Sequence, residues 1–188
     1  MYLVSIYFDE QTNRRIQAYI DAVAKATGND FMVAGKVPPH ITISAFETKE
    51  LEKVIPSLEE CFLRMQSGTV QWASMGAFLP YVIYAAPVLN EYLHGTSKEI
   101  YTCLNSLGEV SISKYYRPLQ WMPHTTIGKK LSKEEMRIAF EVLQNQFGIF
   151  QGKVVRVGLA RTNPYEDILI CDLGRKNLIK VERNRLTE

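Results

Sequence analysis

Two short triplets carry side chains that could act on a phosphate: His40-Ile41-Thr42 and His124-Thr125-Thr126. Each triplet follows a proline and lies in a short apolar run. Residues two apart on a β-strand project from the same face, so each triplet would present one imidazole beside one hydroxyl. Because histidine titrates near neutral pH, a facing pair can hold one neutral ring as a base and one imidazolium as an acid.

This pairing suits the chemistry of a phosphodiester. One histidine would remove a proton from water or a ribose hydroxyl while the other protonates the departing oxygen. The threonine hydroxyls would donate hydrogen bonds to the non-bridging oxygens as negative charge builds there. The scheme requires no metal and no cofactor, and a zinc site is a poor alternative because the two histidines lack a recognisable third ligand.

The bare His-x-Thr pattern is weak evidence, because a third copy occurs at His94-Gly95-Thr96. This copy lies in a helical pattern, where residues two apart diverge, so we interpret it as chance. A lone histidine is also more often a core residue than a catalyst. Context distinguishes the other two triplets: each has a preceding proline, a predicted strand around it and an amphipathic helix soon after it.

The composition is that of an ordinary globular protein, with 188 residues of which 46% are apolar and 22% are charged. The formal net charge of +2 is too small for a protein that wraps a polyanion. The three cysteines are widely spaced and form no C-x-x-C pair, which favours a reducing compartment. With no signal-peptide pattern and no membrane-spanning run, we expect a cytoplasmic monomer without a membrane partner.

Hydrophobic periodicity predicts strands alternating with amphipathic helices. The predicted strands cover Tyr2–Phe8, the first triplet near 38–46, Val70–Phe78, Tyr81–Ala86, the second triplet near 121–129, Lys153–Ala160 and Asp167–Leu173. The predicted helices run from a cap at Asp9–Thr12 to about Ala26, over Leu51–Met65, over Leu89–Leu107, and from a capping box at Ser132–Glu135 to Phe147. Gly108–Leu119 is predicted to be irregular, and the charged tail after Leu173 to fray or to form a short strand.

The two halves of the chain share one order of elements: a strand with a triplet, an amphipathic helix, then paired strands. We therefore predict an internal duplication. No linker or low-complexity stretch divides the chain, so residues 1–188 are predicted to form a single domain.

The paired triplets, their separation by roughly half the chain, the opening strand Val4-Ser5-Ile6-Tyr7-Phe8 and the element order resemble the 2H phosphoesterase superfamily. Bacterial members of that superfamily are often described as 2′-5′ RNA ligase-like or cyclic phosphodiesterase-like. The resemblance implies an α+β fold of two pseudo-symmetric lobes, each a small antiparallel sheet backed by helices, with both motifs lining a central groove. It also implies metal-independent action on 2′,3′-cyclic phosphates or 2′-5′ bonds of RNA ends or small nucleotides.

The predicted catalytic residues follow from this match. His40 and Thr42 match the first family motif, and His124 and Thr126 match the second. The chain departs from the family at Thr125, where an aliphatic residue is usual. It also has Lys129 where ligase-like members often carry arginine, which keeps the charge but loses the bidentate fork that fits phosphate.

Four further residues are predicted to bind substrate. Tyr115 and Arg117 lie in the loop before the second motif, where a ring could stack on a base and a guanidinium could bind phosphate. Lys129 could attract phosphate, and Tyr7 could border the groove. The alternatives for these residues are an ordinary surface loop, a solvated lysine and a core tyrosine.

Three functions remain open on the sequence alone. The first is a two-histidine phosphoesterase that hydrolyses or reversibly ligates its substrate. The second is a non-catalytic module that binds an RNA end or a nucleotide in the same groove. The third is a scaffold in which the triplets are core strands, which predicts buried imidazoles.

Overall fold

Strands and helices alternate over residues 1–181, the part of the chain that the computed structural model describes. The strands are β1 (Tyr2–Phe8), β2 (His40–Glu47), β3 (Gly68–Phe78), β4 (Val82–Pro87), β5 (Ser111–Ile112), β6 (Thr125–Lys129), β7 (Phe150–Arg161), β8 (Glu166–Asp172) and β9 (Asn177–Lys180). The helices are α1 (Glu10–Thr27), α2 (Phe31–Ala34), α3 (Leu51–Arg64), α4 (Glu91–Asn105) and α5 (Lys133–Gln146), with a 3₁₀ turn at Lys114–Tyr116. The predicted α+β class is confirmed.

All strand pairs in the described residues are antiparallel and belong to one open sheet. The main path runs β5-β2-β1-β7-β3-β4-β6, while β8 pairs with β7 and β9. The long strand β7 connects the two parts, because Phe150–Val154 pairs with β3 and Val154–Arg161 pairs with β1. Hydrogen bonding is therefore continuous from one triplet-bearing strand to the other.

The strand order is symmetric about the β7–β3 pair. On one side β1 and then β2 follow, and on the other side β4 and then β6. One strand, β1 or β4, thus separates each triplet-bearing strand from the central pair. This order fits the predicted internal duplication, whereas the division into two lobes stays a prediction.

The helix ends follow the capping signals of the sequence. The Asp9 carboxylate accepts a hydrogen bond from the Thr12 backbone N–H at 2.8 Å and begins α1. Gly28 ends that helix with a φ of 75°, a left-handed conformation that glycine adopts without steric cost. The predicted capping box is confirmed: Ser132 accepts from the Glu135 N–H, and the Glu135 carboxylate accepts from the Ser132 N–H.

Several short elements were not predicted. The structure adds the one-turn helix α2, and the segment 108–119 that is predicted to be irregular contains β5 and the 3₁₀ turn. Strand β7 begins at Phe150, three residues before the predicted Lys153. After Leu173 the chain forms β9, which confirms the strand alternative, and residues 182–188 of the tail lie outside the described residues. In residues 1–181, no helix combines the length and the apolar character needed to cross a membrane.

Trp72 on β3 joins the core to the second triplet. Its fully buried ring stacks on Phe150 at 4.8 Å between centroids and meets the edge of Phe8 at 4.9 Å. Its indole Nε1 donates a hydrogen bond to Thr125 Oγ1 at 3.0 Å. Thr125 is itself fully buried, so its hydroxyl satisfies a donor that would otherwise be unpaired in the core. This bond explains why threonine fits where the family usually has an aliphatic residue.

We expect Thr125→Val to destabilise the fold by about 1–3 kcal/mol, because it leaves the buried indole N–H of Trp72 without an acceptor. Urea denaturation should show a lower midpoint with an unchanged slope. The matched control is Thr69→Val, at an exposed position of β3, which should stay within about 0.5 kcal/mol of the parent. Equal stability of the Thr125 variant and the parent would contradict this account of the core.

Candidate active site

The two histidines stand at the beginning of the strands that carry the triplets. His40 is the first residue of β2, and His124 lies one residue before β6. The structure thus begins the second strand at Thr125 rather than near 121. The reason is that Pro123 has no N–H to donate to a strand ladder, and the indole of Trp121 reaches across to β2 instead. Both imidazoles are half-buried.

Strands β2 and β6 come together although the structure shows no ladder between them over residues 1–181. Their Cα atoms approach to within 8 Å. The Nε1 of Trp121 donates a hydrogen bond to the backbone carbonyl of Thr42 at 3.1 Å and ties the segment before the second triplet to the first triplet. We call this place the β2/β6 junction; His40 and Thr42 lie on β2, Thr126 lies on β6, and His124 immediately precedes β6.

Both histidines are held in the same way. The Nδ1 of His40 lies 2.9 Å from the carbonyl oxygen of Pro38, and the Nδ1 of His124 lies 2.9 Å from that of Met122. A carbonyl oxygen can only accept, so Nδ1 must carry the proton in both rings. In the neutral ring Nε2 is then unprotonated and free to exchange a proton with a ligand. The two triplets therefore present two equivalent acid/base groups.

The threonines of the triplets occupy different surroundings. Thr42 is buried opposite Ser5 of β1, and the Ser5 hydroxyl donates to Thr42 Oγ1 at 3.5 Å. Because Thr42 accepts this bond, its own proton is free for another acceptor. Thr126 is half-buried opposite Tyr84 of β4.

One tyrosine flanks each histidine and lies over a glycine. The Tyr7 ring is 6.1 Å from the His40 ring, and the Tyr84 ring is 5.5 Å from the His124 ring. A Cβ atom at Gly76 would lie 2.5 Å from the Tyr84 ring, and one at Gly158 would lie 3.1 Å from that of Tyr7. Only glycine leaves room for the ring at Gly76.

Burial lowers the pKa of both histidines below the ordinary value of 6.5. For His40, the hydrogen bond to the Pro38 carbonyl and the charge on Asp167 act against burial and raise the pKa. The charges on His124 and Lys129 lower it further. For His124, the bond to Met122 opposes the effect of burial. The charge on His124 is among the causes that lower the pKa of His40, so the two rings are close enough to interact.

The predicted substrate-binding residues differ in accessibility. Tyr115 is 70% exposed, and the Lys114 ammonium lies 5.3 Å from the centre of its ring. Arg117 and Lys129 are also exposed, and Lys129 is close enough to His40 to affect its pKa. Tyr7 is only 4% exposed, and its hydroxyl lies 2.9 Å from that of Tyr165. A direct contact of Tyr7 with substrate stays a prediction, as do those of the other three residues.

The structure has two concavities that no residue of either triplet lines. An open depression of about 780 Å³ is lined by Tyr2, Glu109 and the segment 47–50, and a second of about 320 Å³ by residues of α3, β8 and β9. Neither is lined by a histidine. Side-chain geometry rather than cavity size therefore marks the β2/β6 junction as the candidate site. Among residues 1–181, no group of three or more His, Cys, Asp or Glu side chains is arranged to hold a metal ion.

Sequence reasoning missed the aromatic and acidic neighbours of the two histidines. Phe78 meets the His124 ring edge-on at 4.8 Å, and the Tyr84 ring lies 4.4 Å from that of Phe78. Tyr165 and Asp167 lie on the His40 side and are more than 120 residues away in the chain. No local pattern marks these residues, because the sheet pairing brings them to the site.

Comparison with known proteins identifies the family of the chain. The family model described as the 2′-5′ RNA ligase superfamily matches residues 11–166, which include both triplets and most of the sheet. No curated protein matches the chain. The family match covers most of the chain and confirms the resemblance inferred from the triplets. The chain belongs to the 2′-5′ RNA ligase superfamily, which is the 2H phosphoesterase superfamily.

Proposed function

We propose that this protein is a metal-independent phosphoesterase in which His40 and His124 act as a general acid and a general base. Its substrate would carry a 2′,3′-cyclic phosphate or a 2′-5′ phosphodiester, at an RNA end or in a small nucleotide. The observation that supports this most strongly is the matched pair of 2.9 Å contacts from Nδ1 to a carbonyl, because they leave Nε2 of both rings available. Family membership supports a phosphoesterase or ligase kind of activity.

In hydrolysis of a cyclic phosphate, the neutral histidine would take a proton from water as the water oxygen bonds to phosphorus. The bond from phosphorus to one ribose oxygen then breaks, and the imidazolium gives that oxygen its proton. The products are a phosphomonoester and a free ribose hydroxyl, and the two histidines have exchanged protonation states. In ligation, a ribose hydroxyl would attack phosphorus in place of water. The reverse of this step would displace that ribose oxygen again.

The threonines and nearby cations would stabilise the charge on the phosphoryl group. The Thr42 proton is free because its oxygen accepts from Ser5, so it can donate to a non-bridging oxygen. Thr126 would do the same from β6. Lys129 and Arg117, both exposed, would attract the phosphate, and Tyr115 would stack on a base.

The setting that we infer is a cytoplasmic monomer. Cys61, Cys103 and Cys171 are all free thiols, as expected of a protein in a reducing compartment.

We expect His40→Ala and His124→Ala each to lower kcat on a 2′,3′-cyclic nucleotide at least about a hundredfold, because each removes one proton-transfer group. The chain provides its own control in His94→Ala, which changes the histidine of the third triplet on helix α4. This control should retain the parental rate, and EDTA should not reduce the rate of the parent. Full activity in either of the first two variants would refute the mechanism. Salt-sensitive RNA binding without any product in the parent would favour a binding module instead.

The pH dependence of kcat/KM should be bell-shaped, because one ring must be neutral and the other protonated in the free enzyme. Burial lowers the pKa of both histidines below 6.5, so the imidazolium is lost earlier than usual as the pH rises. The maximum, midway between the two apparent pKa values, should therefore lie below pH 6.5. A maximum well above pH 7, measured at constant ionic strength, would contradict this prediction.

A further inference from the structure

The surroundings of His40 and His124 differ although their backbone contacts match. His124 is flanked by two aromatic rings, with its ring centre 4.8 Å from that of Phe78 and 5.5 Å from that of Tyr84. His40 has the Tyr7 ring beside it at 6.1 Å, and Tyr7 is its direct partner in the β1–β2 register. Whatever holds Tyr7 in place therefore also limits the movement of the His40 ring.

Tyr7 is the end of a hydrogen-bonded chain that leads to a carboxylate. The Tyr165 hydroxyl donates to Asp167 Oδ1 at 2.9 Å, and the Tyr7 and Tyr165 hydroxyl oxygens are 2.9 Å apart. Tyr165 has a single hydroxyl proton, which it gives to the carboxylate. Its oxygen must therefore accept the proton of Tyr7. The direction of the chain is fixed from Tyr7 through Tyr165 to Asp167.

Packing holds the Tyr7 ring in place, and burial keeps the two tyrosine hydroxyls of the hydrogen-bonded chain protonated. The Tyr7 ring lies against Gly158, and the Arg156 guanidinium is 5.9 Å from the ring centre. Burial raises the pKa of Tyr7 to about 12, despite the opposing hydrogen bond to Tyr165. Burial and the neighbouring Tyr7 and Asp167 also raise the pKa of Tyr165. Both hydroxyls therefore stay protonated near neutral pH.

The charges that bear on His40 come from several elements. His124 and Lys129, before and at the end of β6, disfavour a positive charge on His40, whereas Asp167 on β8 favours it. Tyr7 of β1, Tyr165 and Arg156 of β7 also lie on this side, and Tyr7 interacts with both of the others. Asp167 thus both anchors the hydrogen-bonded chain and opposes the cations around His40.

We propose that Asp167 is a positioning residue that acts on His40 through the hydrogen-bonded chain of Tyr165 and Tyr7. Asp167 fixes the Tyr7 ring against the imidazole, and its carboxylate balances the charge that His40 takes up during the reaction. Its effect on the geometry of His40 is independent of any substrate, whereas its effect on turnover rests on the proposed function. The aromatic surroundings of His124 do not provide an equivalent anchor within residues 1–181.

The first test is the titration of the three histidines by NMR, without substrate, in the parent and in Asp167→Asn. Loss of the carboxylate should lower the pKa of His40, because the Asp167 charge favours the imidazolium. The matched control is Glu166→Gln, which neutralises the adjacent carboxylate. The Glu166 carboxylate pairs with Arg161 at 3.8 Å and takes no part in the hydrogen-bonded chain of Tyr7, Tyr165 and Asp167. An identical His40 titration in the Asp167 and Glu166 variants would overturn the proposal.

The second test is Tyr165→Phe, a smaller change that keeps the Asp167 charge but breaks the chain. It should lower kcat on a 2′,3′-cyclic nucleotide about tenfold with little change in KM, because the His40 ring is held less firmly. Tyr2→Phe on the same sheet, far from the triplets, is the control and should keep the parental kcat. A parental kcat in Tyr165→Phe would overturn the role of the hydrogen-bonded chain in positioning His40. If the parent itself has no turnover, the proposed function fails, and the NMR titration still decides whether Asp167 acts on His40.

Discussion

The pairing of β7 with β3 at the centre of the sheet is the constraint on which the candidate site depends. Because β7 is long enough to pair with β3 at one end and with β1 at the other, it joins the two halves of the chain into one ladder. The triplet-bearing strands β2 and β6 follow at equal distance on either side, and the sheet brings them to within 8 Å of each other. Two sequence-distant histidines are thereby placed at the first residue of β2 and one residue before β6, and sites built on strands hold their geometry well.

Local backbone contacts then give each histidine the same tautomer. The carbonyls of Pro38 and Met122 occupy both Nδ1 atoms, so the acid/base chemistry that we propose is left to Nε2. The two halves differ beyond this first contact. Two aromatic rings flank His124. His40 lies beside Tyr7, from which hydrogen bonds run through Tyr165 to Asp167. Two imidazoles with the same backbone contact thus lie in unequal surroundings, which is a physical basis for giving the two histidines different roles.

Much of the fold could be predicted from the sequence because its signals are local. The capping box at Ser132, the cap at Asp9 and the strand-helix order all depend on neighbours a few residues apart, and the structure contains them. The two triplets were found because their pattern is short and repeated. Asp167, Tyr165 and Trp72 were missed as partners of the triplets, since only the pairing of distant strands brings them close. Thr125 shows the same limit: it is unusual in the motif, and its hydrogen bond to a core tryptophan explains it only in three dimensions.

If both imidazoles exchange protons with one phosphoryl group through Nε2, a phosphate ligand must affect Nε2 of both rings. Long-range ¹H–¹⁵N correlation spectra of the parent, titrated with adenosine 2′-monophosphate as a product-type ligand, measure this. The free protein should show the Nδ1–H tautomer in both His40 and His124. Both Nε2 signals should then shift with one common Kd, while His94 on α4 does not respond. A response from only one of the two histidines, or an Nε2–H tautomer in either neutral ring, would contradict the proposed roles of the two imidazoles.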